Sequence, residues 1–578
     1  MRNFQRQTMV KSLLLAYILG GACALAAPSH SADENENPVV DLGYAKYRGV
    51  RNATYGLDYY FGIRYAVSPE GDLRWRAPQD IESHGKYSIS AVIDATTVGP
   101  QCVQGPTAWA NGTNLGALQV LGAIPPLPSS EDCLLLNVLT PTSPKSKSLP
   151  VVVYIHGGGY ITGSSISSDG SQFTQYAQGN IVWVSIQYRL GAYGFLNPKE
   201  FDGNDGVKNA GLLDQRLALE WVQRHISAFG GDPSKVTIWG GSAGGGSVVN
   251  QLIYNGGEKN PPYRGAIAEF PWLQPYHDDI FLQKQYQTVL DEAKCGDLAC
   301  LRSLSASALE KAITTSYYTA YAAGLYAYGD MYFGPSVDGD FVHDLPSVEF
   351  DNGHFARVPL MTNHDSFEGI LFTNFSTTSF DENRAQWQKT WHSPTTKFWE
   401  SLSQLYPLSD FGTTYYEQSF FRSLIFPLIA LLAPLSIPGA DPSLWQTQQI
   451  NGDANINCPT YYFAAAAQKY GVPAYKSIFD AGVYVHSAAD FPIFNTQIFT
   501  VDTSVATAVK DYFLSFIVGL DPNTLPSVSH QTRTHWPQYG QKNYDILNVQ
   551  DASITAQRDP DASDRCDFLH SQSSIVRN

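Results

Sequence analysis

The stretch Val236-Thr237-Ile238-Trp239-Gly240-Gly241-Ser242-Ala243-Gly244-Gly245-Gly246 constrains this chain more than any other. A short β-branched and aromatic run ends abruptly in Gly-Gly-Ser-Ala-Gly, and small residues continue through Ser247, Val248, Val249 and Asn250. The pattern G-x-S-x-G between a strand and a helix describes a sharp turn that lifts one serine hydroxyl above the end of a sheet. Such a turn strains the serine backbone, and glycines two before and two after it let strand and helix approach without a side-chain clash. With 48 glycines in 578 residues, about 0.3 chance matches to the pattern are expected. The reading therefore depends on what surrounds the motif.

Val151-Val152-Val153-Tyr154-Ile155 is a continuous apolar run of the kind buried on both faces of a sheet. Residues 181–186 repeat it, 236–239 form a third run, and Ala266-Ile267-Ala268 is a weaker fourth. Between the second and third runs, residues 212–229 carry Leu213, Leu217, Leu219, Trp221, Val222 and Ile226 at helical spacing, then stop at Gly230-Gly231-Asp232-Pro233. Strand, helix, strand and helix in this order predict an α/β class fold with a large, mostly parallel central sheet flanked by helices. Residues 59–78 predict an earlier strand and turn. The second half reads as more helical, with patches at 282–293 and 308–328. Residues 424–435 are very apolar but are interrupted by Pro427 and Pro434 and are too short to span a bilayer, so they read as buried core.

The chain opens with Arg2, Arg6 and Lys11, then an apolar run at 12–27 containing Ala24-Leu25-Ala26, which is the pattern of a secretory signal peptide over residues 1–26. A polar, acidic leader at 27–38 precedes a single domain expected over 39–578. Loss of three basic residues with the signal would move the formal charge from −16 to −19. That charge argues against nucleic acid or an anionic membrane as a partner. Cys23 goes with the signal, leaving Cys102, Cys133, Cys295, Cys300, Cys458 and Cys566, an even set that reads as disulfides in an exported chain. Three N-x-S/T sequons, at Asn52, Asn111 and Asn374, suit a glycosylated secretory protein. If Cys102 and Cys133 bond, they tether a loop of about 30 residues, for which chain entropy gives roughly 3–4 kcal/mol. The tethered loop is then either a lid over a pocket or a braced surface flap. The scattered histidines show no metal-ligand spacing.

A serine hydroxyl is a poor nucleophile until a histidine takes its proton and a carboxylate orients that histidine. It also needs main-chain N–H donors for the developing oxyanion. One such donor is the residue after the serine, here Ala243. The others come from a Gly-rich loop after an early strand, and His156-Gly157-Gly158-Gly159-Tyr160 directly follows the 151–155 run. The acid and base should follow the serine in that order. Spacing leaves the base open among His364, His392 and His486, and the acid among Asp340, Asp365 and Glu368.

The whole set of motifs resembles the type-B carboxylesterase/lipase family, which includes cholinesterases and secreted fungal esterases and lipases. The resemblance rests on Phe61-Gly62-Ile63-Arg64-Tyr65-Ala66, Glu131-Asp132-Cys133-Leu134-Leu135-Leu136-Asn137-Val138 and His156-Gly157-Gly158-Gly159-Tyr160. It continues in Tyr188-Arg189-Leu190-Gly191, Asn209-Ala210-Gly211-Leu212-Leu213-Asp214-Gln215 and Phe229-Gly230-Gly231-Asp232-Pro233. The resemblance implies an α/β-hydrolase fold, Ser242 as nucleophile, Glu368 as acid, His486 as base, and Gly158, Gly159 and Ala243 as oxyanion donors. It also implies the pairs Cys102–Cys133 and Cys295–Cys300, which leaves Cys458 with Cys566. The sequence departs from the family in three places. Gly241 stands where the family usually has Glu, which weakens a cholinesterase-like reading for cationic substrates. Glu269-Phe270-Pro271-Trp272 replaces a common small Ser-Gly pair, so one pocket wall is bulkier. The acid segment reads Ser366-Phe367-Glu368-Gly369 in place of the commoner Asp-Glu-Gly. The expectation is a secreted serine carboxylic-ester hydrolase acting through an acyl-enzyme on apolar or aromatic esters, with no cofactor. The alternatives are an acyl transferase or lactone hydrolase of a secondary-metabolite pathway, and a non-catalytic binding module.

Overall fold

The four apolar runs lie side by side at the centre of one 11-stranded sheet. The computed structural model describes residues 37–578 apart from 85–90, 111–127, 202–205, 413–440, 495–500 and 541–542 and the single positions 375, 483 and 529. The signal segment at 1–26, nearly all of the leader at 27–38, the Asn111 sequon, the middle of the loop between Cys102 and Cys133, and the apolar run at 424–435 lie outside the described residues. Val39–Asn578 holds together as one compact unit.

In chain order the strands of the sheet are β1 (Val50–Asn52), β2 (Leu57–Arg64), β3 (Leu135–Pro141), β4 (Leu149–Ile155), β5 (Val182–Ile186), β6 (Gly231–Gly241), β7 (Gly265–Glu269), β8 (Leu360–Asp365), β9 (Ala474–Asp480), β10 (Asp545–Gln550) and β11 (Ser553–Arg558). Across the sheet they stand β11-β10-β9-β8-β7-β6-β4-β5-β3-β2-β1. Every pairing from β10 through to β5 is parallel. The outer pairings, β10 with β11 and those joining β5, β3, β2 and β1, are antiparallel. β4, β5, β7 and β8 are buried along their whole length. Sheet strands covered on both faces read as unbroken apolar runs rather than alternating ones, and this is why they stand out in the sequence.

Helices α1 (Ala210–His225) and α2 (Ala243–Gly257) flank β6 in the chain. The helix expected over 212–229 begins two residues earlier and passes into a 3₁₀ turn at Ile226–Phe229, where Gly230 ends it in a left-handed conformation. In the second half, α3 (Asp279–Ala293) is capped by the Asp278 carboxylate on the N–H of Phe281, and α4 (Ala306–Ala322) by the Ser305 hydroxyl on the N–H of Ala308. The patch expected to be helical to 328 stops at Ala322, because the chain turns back at Gly324 with φ +69°. Disulfides join Cys102 to Cys133, Cys295 to Cys300, and Cys458 to Cys566. Asn52 and Asn374 are half-buried.

Lys476 of β9 is fully buried and donates to both carboxylate oxygens of Asp559 (2.7 and 2.8 Å) and to Asp561 (2.5 Å). His364 Nε2 meets the same Asp561 at 2.7 Å, and the Tyr539 hydroxyl donates to Asp559 at 2.7 Å. Burial alone would lower the Lys476 ammonium, but the two carboxylates outweigh it and hold it above its ordinary value. Removing the cation strands two acids in a dry interior. Lys476→Met is therefore expected to cost about 3–5 kcal/mol of stability, read as a drop in the urea midpoint.

Candidate active site

β6 ends at Gly241 and α2 begins at Ala243, so Ser242 is the single residue that turns the chain, with φ 58° and ψ −127°. A non-glycine residue held there stores of order 1–3 kcal/mol of backbone strain. Three main-chain hydrogen bonds hold it: Ser242 N–H to Glu269 O (3.1 Å), and Gly246 N–H and Trp272 N–H to Ser242 O (2.9 Å each). The glycines of the motif are required by close approach. A Cβ on Gly244 would lie 2.1 Å from the carbonyl oxygen of Ile155, and one on Gly240 would lie 2.5 Å from the backbone of Gly244.

The loop after β4 lies against the same turn, since a Cβ on Gly157 would stand 2.7 Å from Gly241 O and 3.0 Å from the Ser242 Cβ. Gly158, Gly159 and Tyr160 all have positive φ (105°, 63° and 60°), which turns successive peptide groups into a tight cradle. Among the described residues no hydrogen bond takes up the N–H of Gly158, Gly159 or Ala243. His156, at the head of the loop, is buried and stacked on Tyr188 at 4.4 Å. Burial pulls its imidazole down to about 4, so it is neutral, with Nδ1–H directed to Gly157 O at 2.9 Å.

The other functional side chains come from the carboxyl ends of β8 and β9. His486 Nε2 lies 2.8 Å from Ser242 Oγ, and His486 Nδ1 lies 2.5 Å from Glu368 Oε2. Glu368 is fully buried, and its second oxygen accepts the N–H of Asp365 at 2.6 Å. The other candidates are placed elsewhere. His364 faces Asp561, His392 Nδ1 pairs with Asp278 at 3.1 Å in a half-exposed position, and Asp340 is exposed. Asp365 accepts the N–H groups of Ala488 and Ala489 at 3.1 and 3.0 Å and so braces the loop that carries His486. Burial, followed by the charges of Glu368 and Asp490, pushes the Asp365 carboxyl well above its ordinary range.

Three rings enclose the imidazole edge-on, Phe270 and Phe372 at 5.2 Å and Trp272 at 6.4 Å. Phe372 gave no signal in the sequence; nothing in its local pattern separates it from core. Trp272 and Phe372 also border an open recess shared with Asp330, Asn374, Trp387 and Asn451. Burial pushes the Asp330 carboxyl up to about 6. Trp109, at the start of the tethered loop, is buried and donates its indole N–H to Asp330 O at 2.7 Å. That end of the loop is therefore fastened beside the recess.

A strained serine on a strand–helix turn, a hydrogen-bonded imidazole and carboxyl, and a glycine cradle on a mostly parallel sheet define an α/β-hydrolase fold of the esterase type. The chain belongs to the carboxylesterase family, whose model matches residues 36–569. It is similar to the carboxylesterase patB of Aspergillus clavatus, with 28% identity over 94% of this chain and 98% of that protein. It is 32% identical to secreted lipase 1 of Botryotinia fuckeliana over 87% of each chain. The crystal structure of Aspergillus niger EstA matches with a TM-score of 0.76 and 28% identity, covering 93% of this chain and 99% of that one.

Because Ile155 O occupies the space any side chain at 244 would need, Gly244→Ala is expected to destabilise the protein by about 3 kcal/mol or more. The check is the denaturant midpoint of the soluble fraction, with esterase activity falling in step.

Proposed function

We propose that the protein is a secreted serine esterase in which Ser242 is the nucleophile, His486 the general base, and Glu368 the carboxylate that orients it. The observation that carries this reading is the unbroken relay from Ser242 Oγ to His486 Nε2 at 2.8 Å and from His486 Nδ1 to Glu368 at 2.5 Å. Ser242 Oγ forms a bond to the ester carbonyl carbon while its proton passes to Nε2. The charge on the carbonyl oxygen falls to the N–H groups of Gly158, Gly159 and Ala243. Collapse breaks the bond to the alcohol oxygen, and the imidazolium returns the proton to the leaving alcohol. A water then gives a proton to Nε2 as its oxygen bonds to the acyl carbon, and the bond to Ser242 Oγ breaks as the imidazolium returns that proton to Oγ, which frees the acid. Glu368 accepts the Nδ1–H of His486 and so holds that tautomer.

The rings of Phe270, Trp272 and Phe372 around the imidazole support compact apolar or aromatic esters as substrates, because they exclude water and narrow the space beside the serine. Secretion is supported by three disulfides, which persist in oxidising compartments. The similarity to a protein named secreted lipase points the same way.

A fluorophosphonate is expected to add one covalent group, located at Ser242 by peptide mass, and to abolish hydrolysis of a nitrophenyl ester. Folded protein that takes up no label would sink the reading. Ser242→Ala should lower kcat by about 10⁴ or more with little effect on the thermal midpoint. Trp272→Gly should raise kcat/KM for a hexanoate ester relative to acetate by about tenfold, measured across a series of nitrophenyl esters.

A further inference from the structure

We propose that Glu269 is a positioning residue for the hydrolysis, setting the charge under which His486 takes up the serine proton. The proposal rests on the assignment of Ser242 and His486 made above. Glu269 is the last residue of β7 and is fully buried. Its carbonyl oxygen accepts the N–H of Ser242, while its carboxyl accepts Trp239 Nε1–H at 2.5 Å and Asn363 Nδ2–H at 3.0 Å. One residue thus fixes the backbone of the nucleophile and carries a buried ionisable group bonded to the strands on either side of it.

The neighbouring side chains are built around this placement. Phe270 follows with a strained φ of +30° and lays its ring edge against His486. That ring fills the room of a side chain at 241, where a Cβ would lie 2.6 Å from it. The same Cβ would lie 3.6 Å from Asp490 Oδ2, so the Asp490 carboxyl reaches toward the residue just before the nucleophile. Among the described residues its other oxygen, Oδ1, is buried without a hydrogen-bond partner. The absence of a side chain at 241 and the bulk at 270 are therefore one exchange.

The charged and titratable groups facing this region are Glu269 from β7, Asp365 and Glu368 from the end of β8, Asp490 and His486 from the loop after β9, and the Tyr154 hydroxyl from β4. Among the described residues the one basic side chain paired with these acids is His486, on Glu368. Burial and like charge push Asp365 and Asp490 well above the usual carboxylate range. Burial pushes Glu269 up to about 7 against the two hydrogen bonds it accepts. The sign follows directly. As pH rises through about 7, Glu269 ionises, and a carboxylate in a low-dielectric interior stabilises the imidazolium that forms on His486. As pH falls, that help is lost.

The test is kcat/KM for nitrophenyl acetate from about pH 5 to 9 on the full chain, the Glu269→Gln variant and the Asp490→Asn variant, each corrected for the fraction of sites titrated by a fluorophosphonate. The unaltered protein should show an acid limb with two proton losses, one of them near 7. Glu269→Gln should show one, with an alkaline plateau roughly three- to tenfold lower. Asp490→Asn should keep both and leave the ionisation near 7 in place, because Asp490 still holds its own proton when Glu269 loses one. A Glu269→Gln variant with the original profile and plateau would overturn the proposal. So would an Asp490→Asn variant that loses the ionisation near 7, since that would assign it to Asp490, and this decides the matter even if Glu269→Gln does not fold. Failure of every variant, and of the unaltered protein, to take the phosphonate would instead remove the Ser242 assignment and this proposal with it.

Discussion

The site depends on how closely the end of one strand and the start of one helix can approach. Ile155 O stands 2.1 Å from where a side chain on Gly244 would begin, and Gly157 is nearly as close to Gly241 and Ser242. This contact carries the loop after β4 to the serine and places its peptide N–H groups beside the first turn of α2. No hydrogen bond could substitute for it, because the constraint is steric. The strained φ and ψ of Ser242 follow from the same geometry, and the bonds from Glu269, Gly246 and Trp272 keep the turn from relaxing. The remaining groups are brought to this point by the ends of β8 and β9.

Much of this could be read from the chain alone, for one physical reason. Strands buried on both faces must be apolar throughout, so β4, β5, β6 and β7 appear as runs, and the glycines at 240, 241 and 244 mark where one run has to turn. The partner of the serine is different in kind. His364 and His486 both follow apolar strands and both sit beside acids, and no local pattern separates them. The difference lies in contacts made across 197 residues for His364 with Asp561, and across 244 residues for His486 with Ser242. Asp365 and Glu368 are three residues apart, yet one holds a loop and the other meets the imidazole. The exchange between Gly241 and Phe270 was visible only as two separate oddities. Its sense lies in a distance of 2.6 Å that sequence does not contain.

The interior holds buried carboxyl groups in two ways. Asp559 and Asp561 are met by Lys476 and His364, so charge answers charge. Glu269 and Asp365 are met by N–H donors, and burial raises them until a proton is the cheaper companion. The first arrangement answers each acid with a basic side chain. The second keeps acids that titrate, and it lies on the side of the sheet that carries Ser242 and His486.

β8 separates the two. Successive strand residues point to opposite faces, and in Thr362-Asn363-His364-Asp365 the alternation divides the roles. His364 turns to Asp561, and Thr362, whose hydroxyl donates to Ala268 O, is in register with Lys476 on β9, so the even positions lie on the side of the locked network. Asn363 binds Glu269 and Asp365 binds the loop of His486, so the odd positions belong to the site. A shift of β8 by one residue would exchange the two sets and leave unpaired charge on both faces. The register of this one strand is therefore held from both sides, by the ion pairs behind it and the amides in front. That double hold explains how two carboxyl groups three residues apart can be kept in different jobs within the same few ångströms.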